Sequence, residues 1–204
     1  MTYTLLTLGD SYTVGEGLPL AESYPYQAIQ ILRKAGYAFS PPEVIARTGW
    51  TTDELAEGVA RTHLLPAYDF VSLLIGVNNQ YRGRSSREYR GEFEGLLRRA
   101  IQFAHGRTDR VFVLSIPDWG VTPFAATHLP DMNGRDRAGV AEEIDGFNGI
   151  AERITGQYEV PFIDITPHSR AATSFAPDGL HPSGELYRHW AEELTRRIIA
   201  RLAE

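Results

Sequence analysis

The fold of this chain is decided near its amino terminus by residues 8–17, which read LGDSYTVGEG. The residues before this stretch, 3–8, are rich in β-branched and aliphatic side chains and predict a β-strand. A helical pattern follows the stretch, so Ser11 is expected at the tip of a strand-to-helix turn. The free N–H groups at the start of a helix point toward such a position, which suits a nucleophile whose attack creates an oxyanion.

Residues 8–17 alone leave two interpretations open, because Asp10 and Ser11 are also common turn and N-cap residues. The other end of the chain favours the catalytic one. Asp178 and His181 stand three residues apart in a predicted loop just before the last helix. An aspartate can orient a histidine whose other ring nitrogen accepts a proton from a serine.

Strand patterns alternate with helix patterns along the whole chain. Strands are predicted at residues 3–8, 43–47, 70–75, 110–116 and 158–165, and helices at 24–36, 53–62, 86–104, 140–154 and 183–203. This alternation predicts an α/β protein, a three-layer α/β/α sandwich with a mostly parallel five-stranded sheet. Residues 117–133 are predicted to form a long irregular loop, and loops of this length are often functional. Residues 1–204 are expected to form a single domain, since no linker or repeat interrupts the pattern.

The candidate functional residues follow predicted strands. Ser11, Gly49, Asn78 and the loop at 117–133 each come directly after one of them. In sheets of this kind ligands bind outside the carboxyl ends of the strands. These residues should therefore meet at one edge of the sheet.

Four blocks of sequence carry a family resemblance. They are GDS at residues 9–11, RTGW at 47–50, GVNN at 76–79 and DGLHP at 178–182. In this order, and spread over nearly the whole chain, they resemble the SGNH (GDSL-type) hydrolase family. The resemblance implies a flavodoxin-like sandwich and a hydrolase that cleaves carboxylic esters. It implies no cofactor, and the partner that it implies is a small-molecule ester.

The same resemblance assigns roles to individual residues. It implies that Ser11 attacks the acyl carbonyl, that His181 takes the serine proton, and that Asp178 orients His181. The implied oxyanion hole consists of the backbone N–H groups of Ser11 and Gly49 and the side-chain amide of Asn78. Glycine allows close backbone approach, and an amide N–H directed at developing charge contributes roughly 3–4 kcal/mol.

Two positions depart from the family pattern. Asn79 stands where the family usually has aspartate, and Tyr12 stands where a small aliphatic residue is common. Neither position belongs to the implied triad, so both are expected to alter the rim of the site and thereby the substrate. Asn79→Asp, a change toward the family pattern, is expected to be tolerated within about tenfold in kcat.

Aromatic residues near these blocks are candidates for the substrate pocket. Trp50 directly follows Gly49, and Trp119 and Phe124 lie in the predicted loop. Simple packing is the commoner role for aromatic residues. The six histidines show no pairing at metal-ligand spacing, so no metal is expected. Thiolate chemistry and disulfides are excluded by the absence of cysteine.

Composition narrows the classes of partner. The 20 basic and 26 acidic residues give a net charge of −6, and without a basic run we expect no nucleic-acid binding. A membrane span needs an apolar run of roughly 20 residues, and the sequence has none. The first residues contain no basic segment typical of a signal peptide, so a cytoplasmic location is expected.

Several alternatives remain open at this point. The resemblance does not determine the acyl or the alcohol part of the substrate, so a carbohydrate O-deacetylase or a thioesterase remains possible. The α/β-hydrolase fold is disfavoured because residues 9–13 lack the second glycine of its nucleophile motif. From another class, a flavodoxin-like binding module without catalysis would hold a phosphate at the first turn. Residues 7–17 contain neither glycine-rich phosphate motif, which argues against it.

Overall fold

The computed structural model describes residues 2–131 and 134–203. The strands are β1 (Leu5–Asp10), β2 (Glu43–Arg47), β3 (Phe70–Leu74), β4 (Val111–Leu114) and β5 (Phe162–Ile163). The helices are α1 (Ser11–Val14), α2 (Tyr24–Lys34), α3 (Thr52–Arg61), α4 (Val77–Tyr81), α5 (Ser86–Phe103), α6 (Pro123–His128), α7 (Arg137–Gln157), α8 (Thr166–Arg170) and α9 (Gly184–Leu202). Among the described residues, no helix combines the length and the apolar character that crossing a bilayer requires.

The five strands form one sheet in the order β2-β1-β3-β4-β5, and every neighbouring pair is parallel. Helix α2 packs on α9, while α5 packs on both α3 and α7, and these two groups cover opposite faces of the sheet. The predicted three-layer sandwich with a parallel five-stranded sheet is confirmed. From β1 the chain goes outward to β2 and then returns past β1 to β3, so the topological switch point lies between β1 and β3.

The central strands are buried on both faces, as parallel strands covered by two helical layers must be. Every residue of β1, β3 and β4 is buried, whereas the edge strand β2 is only half-buried. In the register of the sheet, Leu8 of β1 lies beside Ile45 on one side and Leu73 on the other. The carboxyl ends of β1, β2 and β3 therefore lie next to each other at one edge.

Residues 117–133 are not the irregular loop that the prolines suggested. They contain α6 and the 3₁₀ turns Trp119–Val121 and Leu129–Asp131, while residues 132 and 133 lie outside the described residues. Pro123 occupies the first turn of α6, where its fixed φ favours helix formation and no N–H is needed. The Thr122 hydroxyl accepts a hydrogen bond from the Ala125 N–H at 3.1 Å and caps the helix.

Two further boundaries were wrong. Helix α7 continues through Gly156 to Gln157, because its buried apolar side chains continue to Ile154 and the backbone needs no left-handed residue before its end. Strand β5 spans only two residues of the predicted 158–165, since residue 158 caps α7 and Glu159 has a left-handed φ of 55°. The short helices α4 and α8 were not predicted at all.

Asp10 ends β1 and caps the helix that begins at Ser11. Its carboxylate accepts the backbone N–H of Tyr12 at 3.0 Å, and its side chain is fully buried. Burial raises the pKa of Asp10 to about 7, because the opposing effect of hydrogen bonds from the backbone of Tyr12 and of Asp10 itself is smaller. The turn that presents Ser11 therefore contains a carboxyl group, that of Asp10, which is uncharged below about pH 7.

This buried acid predicts a pH dependence of stability. Between about pH 4 and 7 the unfolded chain loses the Asp10 proton while the folded protein keeps it, so folding stability falls as the pH rises through this window. Asp10→Asn keeps a capping oxygen and removes the titration. Relative to the wild type, the variant should gain stability on the order of 3–4 kcal/mol across the window, measured by urea unfolding at several pH values. A stability difference that does not change with pH would contradict this expectation.

Candidate active site

Three side chains from opposite ends of the chain meet at the carboxyl edge of the sheet. The Ser11 Oγ lies 2.9 Å from the Nε2 of His181, and the His181 Nδ1 lies 2.6 Å from the Oδ2 of Asp178. Ser11 is 4% exposed and His181 is 6% exposed. A hydroxyl, an imidazole and a carboxylate thus form one continuous series of hydrogen bonds, buried at Ser11 and His181 and exposed at Asp178.

The loop before α9 holds the acid and the histidine in a fixed relation. The Oδ1 of Asp178 accepts the backbone N–H groups of Leu180 at 2.9 Å and His181 at 3.0 Å, while Oδ2 remains for the imidazole. Gly179 turns the chain with a φ of 68°, and its N–H donates to the Ala176 carbonyl at 2.9 Å. Glycine suits this turn because other residues rarely adopt a left-handed backbone.

Asp178 is held in its charged form. Partial burial alone would raise the pKa of Asp178, but hydrogen bonds from the His181 ring and from the two backbone N–H groups outweigh it, and the pKa lies below its usual range. A carboxylate at this position accepts the Nδ1–H of His181. In a neutral imidazole that donates through Nδ1, Nε2 carries the free lone pair and can accept a proton from Ser11.

Tyr12, one of the two departures from the family pattern, packs directly against the histidine. Its ring centroid lies 5.0 Å from that of His181 and 6.2 Å from that of Trp190. The aromatic side chain fills the space between the imidazole and the buried face of α9. It therefore supports the orientation of the His181 ring as well as contributing to the cavity beside it.

Gly49, in the turn after β2, and Asn78, at the start of α4, line the same cavity as Ser11. Gly49 has a φ of 83°, a conformation that favours glycine. The Asn78 Nδ2 donates to the Trp50 carbonyl at 2.9 Å, and its contact with the Asp10 carboxyl at 3.5 Å is long. An amide nitrogen has two donors, so Asn78 can direct the second one toward a reacting group.

A cavity of about 190 Å³ opens beside these polar groups. Ser11, Gly49, Asn78 and His181 all contribute to its lining. The remaining wall is mostly apolar and aromatic, formed by Val77, Tyr81, Trp119, Phe124 and Leu180. The site therefore combines the hydrogen-bonded Ser11, His181 and Asp178 side chains with a small apolar pocket, and binding sites for small molecules commonly join a few polar groups to an apolar wall in this way.

Trp119 and Phe124 lie in the cavity wall, where the sequence analysis expected them. The Trp119 Nε1 donates to the Gln80 side chain at 2.7 Å, which fixes the indole. Trp50, by contrast, does not line the cavity. Its ring packs over Gly58 of α3 so closely that a Cβ on Gly58 would lie 2.2 Å from it.

Four members of the wall were not expected from the sequence, namely Thr48, Val77, Tyr81 and Leu180. Val77 and Tyr81 are four residues apart on α4 and so share one face of that helix. Prediction of α4 would have revealed both. Across the described ranges, no group of three or more histidine, aspartate or glutamate side chains is arranged to hold a metal ion.

Comparison with known proteins places the chain among relatives. A model of the GDSL-like lipase/acylhydrolase family matches residues 7–189, whereas a search of curated proteins found no significant match. A lipase/acylhydrolase from Enterococcus faecalis superposes with a TM-score of 0.75 at 16% identity, covering 98% of this chain and 96% of that one. The acetylxylan esterase Axe2 from Geobacillus stearothermophilus gives 0.73 at 17% identity, with 96% and 94% covered. TesA gives 0.69 at 16% identity, with 97% and 98% covered.

At such low identity, the solved structures establish a shared fold and nothing finer. The match to the family model also identifies the family, because it covers most of the sequence. The matched residues include both Ser11 and His181. On this match, the chain belongs to the GDSL-like lipase/acylhydrolase family.

Proposed function

We propose that this protein is a serine esterase that cleaves carboxylic esters through an acyl-enzyme on Ser11. The observation that carries the proposal is the contact of the Ser11 Oγ with the His181 Nε2 at 2.9 Å, at the mouth of an apolar cavity. A serine activated by a neighbouring base is the recurring arrangement for nucleophilic attack on acyl groups. The proposed partner is a small ester molecule.

The proposed reaction has two halves. The Ser11 Oγ attacks the ester carbonyl carbon while its proton passes to the His181 Nε2, and His181 then gives that proton to the departing alcohol oxygen. In the second half, water gives a proton to the His181 Nε2 as its oxygen attacks the acyl carbon. The bond from that carbon to the Ser11 Oγ then breaks, His181 returns the proton to Oγ, and the acid is released. Asp178 stabilises the imidazolium in both halves through its bond to Nδ1.

The negative oxygen formed in each half needs donors that are already in place. Ser11 opens α1, and the first N–H groups of a helix have no partner within the helix. We assign the oxyanion to the N–H of Ser11, the N–H of Gly49 and the Nδ2 of Asn78, because all three residues line the same cavity. Preorganised donors of this kind commonly supply the largest single part of the rate acceleration.

The cavity favours a short acyl group. Its volume of about 190 Å³ lies below the roughly 300–1,000 Å³ that ligand pockets commonly have, and it is small for a long fatty chain. Trp119 and Phe124 close the apolar wall. One structural relative is an acetylxylan esterase, so acetylated sugars are the second candidate substrate class beside simple short-chain esters. Thioesters are a third class to compare.

Loss of the constellation should abolish ester cleavage. We expect Ser11→Ala and His181→Ala each to lower kcat by roughly 10⁴–10⁶, Asp178→Ala to be milder, and the Ser11/His181 double variant to be little worse than either single. A chromogenic ester assay with labelling by a fluorophosphonate measures this. Ser86→Ala, at the exposed start of α5, is the matched control and should label normally. Labelling that persists in Ser11→Ala would reject Ser11 as the nucleophile.

The oxyanion assignment predicts a loss confined to the chemical step. Asn78→Ala should reduce kcat by about 10²–10³ with little change in KM, and Asn78→Asp should be at least as damaging because a carboxylate would face the developing charge. Asn148 bonds the backbone of Ile116 away from the cavity, so Asn148→Ala should lower the melting temperature and leave kcat per folded molecule intact. Normal kcat in Asn78→Ala would remove Asn78 from the oxyanion hole.

The cavity wall predicts acyl-chain preference. Across a series of esters from acetyl to palmitoyl, kcat/KM should be highest for the short acyl groups. Trp119→Ala and Phe124→Ala should shift the preference toward longer chains by roughly 1–3 kcal/mol in relative kcat/KM. Trp50→Ala is the control, since the Trp50 ring faces α3, and it should leave the preference unchanged. Equal slowing of every ester by Trp119→Ala would show that the indole serves packing alone.

A further inference from the structure

We propose that Asn79 is a positioning residue that locks the Gly49 turn to Asn78, and that Glu92 makes an amide necessary at position 79. The inference rests on the proposed function, because it concerns the spacing of two proposed oxyanion donors. It also revises the expectation that aspartate, the usual family residue, would be tolerated there. The structure supports it through one chain of hydrogen bonds, which we call the Asn79–Thr52–Glu92 chain.

These hydrogen bonds link Asn79 in α4, through Thr52 at the start of α3, to Glu92 in α5. The Thr52 backbone N–H donates to the Asn79 Oδ1 at 3.1 Å, and the Asn79 Nδ2 donates to the Thr52 Oγ1 at 2.6 Å. The Thr52 hydroxyl in turn donates to the Glu92 carboxylate. Asn79 and Thr52 are both fully buried, so water cannot easily replace either partner.

The direction of every bond in this chain is determined by one backbone group. A backbone N–H can only donate, so the Asn79 atom that faces the Thr52 N–H must be the amide oxygen. The amide nitrogen then faces the Thr52 Oγ1, which must accept. The single hydroxyl hydrogen of Thr52 is left for Glu92, and each group in the chain is satisfied.

An aspartate at position 79 would break this order. Its first oxygen could still accept the Thr52 N–H, but its second oxygen would face the Thr52 Oγ1 where the amide nitrogen now donates. Two carboxylates, those of residue 79 and Glu92, would then compete for one hydroxyl hydrogen. If residue 79 lost that hydrogen, its fully buried carboxylate would face an oxygen lone pair, which is costly. If residue 79 took the hydrogen, the half-buried Glu92 would lose its bond from Thr52. Arg84 lies within electrostatic range of Glu92, but its ion pairs are with Asp53 and Glu88.

The Asn79–Thr52–Glu92 chain can affect catalysis because two of its residues lie close in sequence to the proposed oxyanion donors. Thr52 stands three residues after Gly49, and Asn79 directly follows Asn78. The same two segments are joined again where Asn78 donates to the Trp50 carbonyl at 2.9 Å and Arg82 donates to the Gly49 carbonyl at 2.6 Å. A displaced Thr52 would therefore shift Gly49 relative to Asn78, and small misplacements of catalytic groups reduce rates strongly.

The test is a double-variant cycle of Asn79→Asp, Glu92→Gln and the two combined. Asn79→Asp should lower kcat by about tenfold or more with KM nearly unchanged, and lower the melting temperature by roughly 4–8 °C. Glu92→Gln alone should stay within about twofold of the wild type, because its amide oxygen still accepts the Thr52 hydroxyl. The combined variant should recover most of both losses. In it the hydroxyl hydrogen can go to the carboxylate at position 79, while the amide introduced at position 92 donates to the Thr52 Oγ1.

Each outcome bears on the proposal. Wild-type kcat in Asn79→Asp would overturn the positioning role, and a loss that Glu92→Gln does not recover would overturn the competition for one hydrogen. Equal falls in activity and in the folded fraction, with kcat per folded molecule unchanged, would also overturn it. If the wild type cleaves no ester, the proposed function fails. The melting temperatures of the four proteins then still test the Asn79–Thr52–Glu92 chain by itself.

Discussion

The hydrogen bond between Ser11 and His181 joins residues 170 positions apart, and it can form only when the two ends of the fold are in place. Ser11 is placed by β1, an interior strand of the sheet. His181 is placed by the loop that leads into α9, and α9 is packed against α2 on one face of that sheet. Any loss of packing between these layers would separate the two side chains, so the chemistry proposed here depends on the cooperativity of the whole fold.

The other polar groups of the site are placed by neighbouring turns rather than by distant packing. Parallel strands that end side by side leave adjacent turns, and here the turn after β3 reaches across to the turn after β2. Asn78, Asn79 and Arg82 each bond to a residue in the segment that begins at Gly49. Such buried networks stabilise one geometry when every donor has an acceptor, and an unpaired member is costly. This explains why a single change at position 79 is expected to reach Gly49.

The cavity wall shows where prediction from sequence succeeded and where it failed. Trp119 and Phe124 were expected near the site because they follow β4, and they do line the cavity. Trp50 was expected there because it follows Gly49, yet its side chain faces α3. Position after a strand predicts where the backbone goes, but the direction of a side chain in a turn depends on local dihedrals and on which neighbour offers a space. Gly58 provides that space, and no sequence pattern connects it to Trp50.

The sequence by itself determined the class of fold, because hydrophobic periodicity specifies strands and helices. It also determined the four blocks of the candidate site, because a parallel sheet brings the carboxyl ends of its strands to one edge. It did not determine the helix within residues 117–133, where Pro123 begins α6 instead of marking a loop. It also could not show that Asn79 and Glu92 share one threonine, since the three residues belong to different elements. Only the tertiary structure decided that pairing, because hydrogen-bond direction depends on which donors and acceptors the packing brings together.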